Sequence, residues 1–485
     1  MSELFPVIAL LLPFAGAVAS YFFRNKYQSL KKPFVIGVTV LTSVFSWLSI
    51  LFSRGVSVTL FSFTDRLTIG LKLDGLGCFF TGLVSVLWVF AIIYAFEYMK
   101  EKEHLNMFFA FFTAVYGAVL GIAMSADLLT MYFFYEILTL TTLPLVIQPM
   151  TKKAIRAGRK YLYLSLGGSA FAFIGLVILL HRTGGLEFIA GGIYDSTIGG
   201  SELVAYFLTF LGFGIKSVIF PFHIWLPAAS VAPTPVTALL HAVAVVKSGA
   251  FAIIRVTYYC YGITAIKGTW AQYAALILAE ITIVYGSSIA LKERHFKRRL
   301  AYSTVSNISY IVFGAMLLSP EGLAAALMHF LFHSLTKLAA FMTVGAVVET
   351  TEREYIFQLD GLGRKMPVTF GVFTVSALSL TGIPVFCCFF SKWALCSAAL
   401  SSESTIGIWG VVALLISALL TAIYMISVPI RAFFAKGEAL DSVHEAPWQM
   451  SWLLVPLAAV ITLAALFMPQ ISEYFNILAS SAFIA

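Results

Sequence analysis

Fourteen runs of about twenty predominantly apolar residues, joined mostly by short connections, constrain this 485-residue chain more than any other feature. A run of that length spans the hydrocarbon core of a bilayer as one helix. Within a bilayer every backbone polar group must be satisfied inside the protein, so repeated apolar runs predict packed helices. The runs lie near 4–23, 33–53, 74–96, 108–124, 128–147, 160–181, 203–220 continuing brokenly to 230, 236–257, 270–291, 300–318, 323–347, 368–398 with a break at Pro384, 408–431 and 452–474. Composition agrees: 60% of residues are hydrophobic and 11% charged, with mean hydropathy +0.93, whereas soluble domains carry about 25% charged residues. The fold class is therefore an all-α polytopic membrane protein, one transmembrane domain over 1–485 with no linker. Its longest connections are the Gly-rich 182–202 and the polar 349–367.

The formal charge of +8 raises nucleic acid as a partner, but the cations sit in loops. Alternate loops hold 21 and 5 of the 31 Lys and Arg residues, and five more lie within spans. Cytoplasmic loops collect Lys and Arg, so this asymmetry predicts both termini outside the cytoplasm of a cell inner or plasma membrane. The run Lys292 to Arg299 reads as a topology-setting loop beside anionic lipid, and no nucleic-acid partner is expected. Cys78, Cys260, Cys387, Cys388 and Cys396 form no CxxC pair, so neither a disulfide framework nor a metal centre is indicated. The first apolar run lacks a basic leader and is long enough to span, which predicts a retained helix.

The stretch from Leu211 to Arg255 organises the chain. It sets Lys216 and Lys247 in apolar runs separated by Pro221, Pro227, Pro233 and Pro235. Lysine at the bilayer centre costs on the order of 3 kcal/mol, so an intramembrane lysine points to function. Proline breaks helices, and broken backbone at membrane depth lines a cavity or is enclosed by protein. Together they suggest an ion path. Spans four to eight (108–257) and nine to thirteen (270–432) are each five helices long, and the fourth helix of each is interrupted, by Pro221 after Lys216 and by Pro384 before Lys392. Two inverted five-helix repeats with broken helices 7 and 12 are the predicted plan.

Ionisable residues within the spans are few. Glu136, Lys216, His241, Lys247, His329, His333, Lys337 and Lys392 form the candidate proton-translocation set, with Glu280 and His223 as accessory candidates. A lone histidine on an apolar helix is ordinarily a satisfied core residue. His329, His333 and Lys337, spaced by four, share one helical stripe, which argues for a relay. Plainer readings stand beside these. Lys392 snorkels from a helix end, Glu136 and Lys216 form a structural ion pair, Glu280 pairs with a nearby lysine, and His223 and Trp225 anchor the membrane interface. Opposite charges about 5 Å apart attract by roughly 3 kcal/mol at an effective dielectric near 20. Protonating Glu136 beside Lys216 removes that attraction and frees the lysine to pass its proton onward.

The segment FPFHIWLPAASVAPTPVTALLHAVAVVKSG resembles the signature of the antiporter-like membrane subunits shared by respiratory complex I, Mrp-type cation/proton antiporters and membrane-bound hydrogenase-type complexes. LDGLGCFFTGLV, LKERHFKRRLAYSTVSNISYI, HFLFHSLTKLAAFMTVGAV, SLTGIPVFCCFFSKWAL and the stretch from Asn106 to Leu140 match it too. The resemblance implies fourteen helices with inverted repeats. It also implies functional roles for Glu136, Lys216, Lys247 and Lys392, with His241, His329, His333 and Lys337 on a central polar axis that carries protons. Tyr135 stands where the family usually has Trp, Ala228 where an acidic residue often follows WLP, and Cys387 and Cys388 where a Gly is common. The long lateral helix of one complex I member is not expected here.

The reading is a proton-translocating, non-redox subunit of a multisubunit energy-converting complex. It carries no cofactor of its own; any redox cofactor belongs to partner subunits. The expected partners are other membrane subunits, including homologous antiporter-like chains, with lipid, protons and possible Na+ exchange. The alternatives are a self-sufficient Na+/H+ exchanger, recognised by activity of the purified single chain, a structural or quinone-binding subunit whose buried charges are relics, and the membrane partner of an enzyme that is not an oxidoreductase.

Overall fold

A computed structural model describes residues 2–23, 28–64, 67–402, 405–437 and 442–483, without the side chains of 28 and 29. Arg24, Lys26 and Arg66, counted among the loop cations, lie outside the described residues. The chain runs α1 (Leu4–Tyr21), α2 (Gln28–Phe52), β1 (Ser57–Thr64), β2 (Leu67–Lys72), α3 (Gly75–Tyr98), α4 (Leu105–Ala123), α5 (Leu128–Val146), α6 (Lys152–Thr183) and α7 (Gly200–Lys216). After a broken stretch come α8 (Trp225–Ala229), α9 (Thr234–Ala242), α10 (Val245–Arg255) and α11 (Ile263–Ile266). The remainder is α12 (Trp270–Lys292), α13 (Phe296–Met316), α14 (Pro320–Thr351), α15 (Pro367–Thr381), α16 (Cys387–Ser401), α17 (Thr405–Phe434), α18 (Val455–Leu463) and α19 (Met468–Ser480). Among the described residues, eleven helical spans are long and apolar enough to cross a membrane, and α15 and α16 are shorter apolar helices. The chain is a multi-pass helical membrane protein.

Local sequence explains where the helices start and stop. Asp74, Asp127, Thr151 and Ser319 cap α3, α5, α6 and α14 by accepting from the backbone N–H groups of Gly77, Thr130, Ala154 and Gly322, which satisfies donors that have no partner inside the helix. Gly184 and Gly382 end α6 and α15 at φ 73° and 95°, a left-handed geometry that glycine adopts without a Cβ clash. Small residues bring α6 and α7 together. A Cβ on Gly168 would lie 2.7 Å from the Gly212 carbonyl, and one on Gly212 2.6 Å from the Ala172 nitrogen. Close backbone approach of this kind is how membrane helices gain packing energy without a hydrophobic driving force.

The structure departs from the sequence expectation in three places. The connection between the second and third spans holds an antiparallel hairpin that pairs Ser57 with Lys72 and Thr64 with Leu67. It docks onto the turn before α5 through Lys72 N–H to the Met124 carbonyl and Gly70 N–H to Thr130 Oγ1. The eighth span, read as one run over 236–257, is interrupted at Val243 and Ala244 and ends in a π-helical turn, Val256–Tyr261. The last span is likewise divided, with a 3-10 turn at Ala464–Phe467.

Packing is sharply graded across the molecule. The stretch Thr234–Tyr261 is wholly enclosed by protein. By contrast, α2 and α17 present Leu41, Leu51, Leu415 and Leu419 to the outside, as helices bordering lipid or a neighbouring subunit do.

Candidate functional site

The two broken helices each deliver a lysine to backbone carbonyls. In the first, α7 stops at Lys216, and the chain turns through Pro221 and a 3-10 turn, Phe222–Ile224, before α8 resumes. Such a break strands carbonyls at the end of α7. Trp225, fully buried, donates its indole N–H to the Ile215 carbonyl at 2.8 Å. It is therefore a clamp across the break and not an interface anchor. Lys216 Nζ donates to the Tyr135 carbonyl at 2.6 Å and sits 3.3 Å from the centre of the Tyr135 ring. The adjacent Glu136 accepts from the Ser169 hydroxyl of α6. The structural ion pair that is the plainer reading of Glu136 and Lys216 does not form: Lys216 is held by the Tyr135 carbonyl and Glu136 by the Ser169 hydroxyl.

A second lysine also meets carbonyls where one helix gives way to the next. Between α15 and α16 the chain turns at Gly382 and Pro384. Lys392, on α16, sends its ammonium back to the Leu380 and Thr381 carbonyls at the C-terminal end of α15, where the helix dipole favours a cation. Its Nζ also lies 5.4 Å from the Tyr310 ring centre. Lys392 is buried and does not snorkel.

Between the two lysines lie fully buried polar groups with few partners. Lys247, just past the interruption of the eighth span, has no hydrogen-bond partner for Nζ among the described residues and rests 4.5 Å from the Phe330 ring centre. Neither ring nitrogen of His241 or His333 has a partner among the described residues, and His241 stacks on Phe341 at 4.4 Å. His329 meets the Ser391 hydroxyl through Nδ1 at 3.0 Å and stands 5.8 Å from His333, ring centre to ring centre. Lys337 Nζ donates to Ser303 Oγ at 2.8 Å and to the Leu300 carbonyl at 3.1 Å. The stripe predicted on α14 thus faces α9, α10, α13 and α16. Buried groups this poorly satisfied are expensive.

The accessory candidates stand apart. Glu280 is partly buried, and its Oε1 has no hydrogen-bond partner among the described residues. The lysine partner expected for it is absent among them. His223 is buried beside the first break, 4.8 Å from the Tyr285 ring, and is not at an interface.

Sequence reasoning passed over one further group. Arg255, at the end of α10, is fully buried and grips the Asp74 carboxylate with both Nη atoms, Nη2 to Oδ1 at 2.6 Å. The rings of Phe188, Phe251 and Tyr259 surround its guanidinium at 4.8–5.1 Å. The signal was an intramembrane arginine, which demands a carboxylate, together with the lone Asp of LDGLG.

Residues 125–421 match the family model described as NADH:quinone oxidoreductase/Mrp antiporter, TM, and residues 61–109 match that of NADH-Ubiquinone oxidoreductase (complex I), chain 5 N-terminus. The chain is 33% identical over 363 residues to NADH-quinone oxidoreductase subunit N of Desulforudis audaxviator, covering 73% of this chain and 70% of that one. It is 30% identical over 500 residues to a Na(+)/H(+) antiporter subunit of Alkalihalophilus pseudofirmus, covering 96% of this chain and 60% of that longer one. A chain of the membrane-bound sulfane sulfur reductase, an archaeal respiratory membrane complex, shares the fold at TM-score 0.88 and 23% identity, with 99% of this chain and 97% of that one aligned.

Proposed function

Because the chain belongs to the NADH:quinone oxidoreductase/Mrp antiporter membrane family, we propose that it is a proton-translocating, antiporter-like subunit of a multisubunit energy-converting membrane complex. The observation that carries this reading is the buried row between two carbonyl-held lysines, with Lys247, His241 and His333 lacking partners among the described residues. Lys216 receives or gives a proton beside Glu136. Lys247, His333, Lys337 and His329 pass it along the axis, and Lys392 delivers it at the second break. Each step is driven by charge. A proton arriving on an ammonium without a counter-ion raises the energy of its neighbours. The carbonyls of Tyr135, Leu380 and Thr381 hold the two end lysines when they are charged.

Glu136 supports membership of a complex. It is half-buried on the face of α5 that also exposes Phe133 and Leu140. A carboxylate turned toward lipid at membrane depth is costly, so a neighbouring membrane subunit covers that face. Any redox cofactor of the assembly resides in such partners.

The finer architecture is part of the same proposal. Counting α7, α13 and the α15–α16 pair as crossings brings the eleven long apolar spans to fourteen. The breaks after Lys216 and before Lys392 then occupy equivalent places in inverted repeats over 108–257 and 270–432. An even number of crossings puts both termini on one side, and the loop cations make that side non-cytoplasmic.

The test is proton uptake by sealed vesicles containing the intact complex, comparing wild type with Lys216→Ala and Glu136→Gln at matched assembly. Uptake is expected to collapse in both variants. Normal uptake in both sinks the relay and leaves a scaffold subunit with structural charges.

A further inference from the structure

A polar basin and an apolar groove, neither of them used by the proton axis, adjoin at the start of α3. The basin, about 340 Å³, is bordered by Arg54, Lys72, Asp74, Arg255 and Ser481. Both Nη atoms of Arg255 are taken by the Asp74 carboxylate, while Nε of that buried guanidinium has no hydrogen-bond partner among the described residues. Arg54 and Lys72 are exposed, and neither side chain forms an ion pair or a hydrogen bond among the described residues. Beyond one internal ion pair, the basin therefore presents two positive charges without a counter-ion among those residues.

The groove, about 570 Å³, lies one turn further along α3, between α2, α14 and the α18–α19 pair, and its lining is predominantly apolar. Two helices lead from one cavity to the other. Gly75 of α3 borders the basin and Phe79 to Leu87 the groove; α19 lines the groove with Tyr474 and Phe475, and the chain reaches the basin at Ser481. A Cβ on Gly75 would meet Leu478 Cδ1 at 2.7 Å and Arg54 Nη2 at 3.7 Å, so Arg54 stands at the junction. From Gly75 to Leu87 the helix rises about 18 Å, close to the roughly 15 Å of hydrocarbon in one leaflet of a bilayer. Trp47, Val86 and Tyr474 in the lining are exposed, which opens the groove to the membrane. A helix of a neighbouring subunit, about 10 Å across with its side chains, fills roughly 1,400 Å³ over that length, more than twice what the groove holds. A single hydrocarbon chain is slimmer, and an acidic headgroup answers the two cations above it.

We propose that basin and groove together hold one anionic phospholipid, its phosphate at Arg54 and Lys72 and one acyl chain along α3 in the groove. The chain then rests on Phe79, whose ring lies 5.5 Å from that of Phe330, the ring on which Lys247 rests. A lipid at this site forms the outer wall of the packing that encloses Lys247.

The test is photo-crosslinking in vesicles containing the intact complex, with phosphatidylglycerol or phosphatidylcholine carrying a diazirine in one acyl chain, followed by identification of the labelled peptides. Phosphatidylglycerol is expected to label the groove walls on α3 and α19, and phosphatidylcholine to label them far less. In the double variant Arg54→Gln, Lys72→Gln, the mole fraction of phosphatidylglycerol that gives half-maximal labelling is expected to rise about thirtyfold, the loss of two cationic attractions at a membrane surface. Gly82→Leu is expected to abolish the labelling by filling the groove. Its Cβ has room, 3.5 Å from Ile50 and 3.7 Å from Trp47, and Val86→Phe serves where the leucine variant fails to assemble. Equal labelling by the two lipids, or labelling that these variants leave unchanged, overturns the proposal. Label confined to another subunit shows the groove covered by protein and overturns it too, and competition by inorganic phosphate assigns the basin to a free anion in place of a lipid. None of these readouts depends on what the complex transports.

Discussion

Replacing Asp74 with asparagine tests whether the buried pair with Arg255 holds α10 to α3. Arg255 is 1% exposed at its side chain and Asp74 30%. Removing one partner of a buried pair costs about 3–5 kcal/mol. Here water reaches the carboxylate side and three aromatic rings still surround the guanidinium, which places Asp74→Asn nearer about 2–3 kcal/mol. Asparagine keeps the cap on the Gly77 N–H, which Asp74 Oδ1 now accepts at 2.8 Å. Asp74→Ala loses that cap as well, and is expected to cost about 1 kcal/mol more. The assay is pulse proteolysis in detergent across a denaturant series, run as a double-mutant cycle with Arg255→Leu. A coupling energy of about 2 kcal/mol is expected, with the double variant more stable than the sum of the single losses predicts. A coupling below about 0.5 kcal/mol, the limit of additivity for independent sites, refutes the reasoning, as does equal stability of the Asn and Ala variants.

Gly249→Ala places a Cβ 2.6 Å from the Ser217 nitrogen and 2.9 Å from the Lys216 carbonyl carbon. The backbone that carries Lys216 must shift, at a cost of about 1–3 kcal/mol and with reduced proton uptake, whereas Gly371→Ala, which meets nothing within 4 Å, is expected to leave both unchanged; the same proteolysis and uptake assays check this. Burial raises the Asp127 carboxyl, at the start of α5, to about 6 despite hydrogen bonds from Thr130. The fold therefore favours the neutral acid. This contribution, on the order of 3 kcal/mol, is complete below about pH 4 and is lost as pH rises through about 6. Denaturation midpoints across that window should lose this component in Asp127→Asn, and parallel pH curves for the two proteins count against it.

Much of the scaffold was legible because lipid leaves a chain so few options. Apolar length marks the spans, and the prolines at 221 and 384 mark the breaks at Lys216 and Lys392. The spacing of His329, His333 and Lys337 places them on one stripe of α14, where the His329 and His333 rings stand 5.8 Å apart. Partners were harder to read. Glu136 and Lys216 are complementary in charge but take different partners, the Ser169 hydroxyl that donates to Glu136 and the Tyr135 carbonyl that accepts from Lys216, and no spacing rule reaches across three helices. The interruption at Val243 and Ala244 has no proline of its own. The hairpin of β1 and β2 is invisible to hydropathy, although β-branched and aromatic residues in SVTLFSFT and LTIGL carried a strand signal.

The complete enclosure of Thr234–Tyr261 bears on how the protein is made. This segment has no face of its own for lipid, yet it carries Lys247 and Arg255, each of which opposes transfer of a lone helix from the translocation machinery by about 3 kcal/mol. Its apolar residues offset much of that penalty without supplying a counter-ion. Asp74 emerges from the ribosome long before Arg255, at the head of an already inserted α3. The order of synthesis thus sets out a receptor first and its cation second. A helix enclosed on every side and carrying two cations is thus expected to enter the membrane by joining an existing bundle and not by dissolving in lipid.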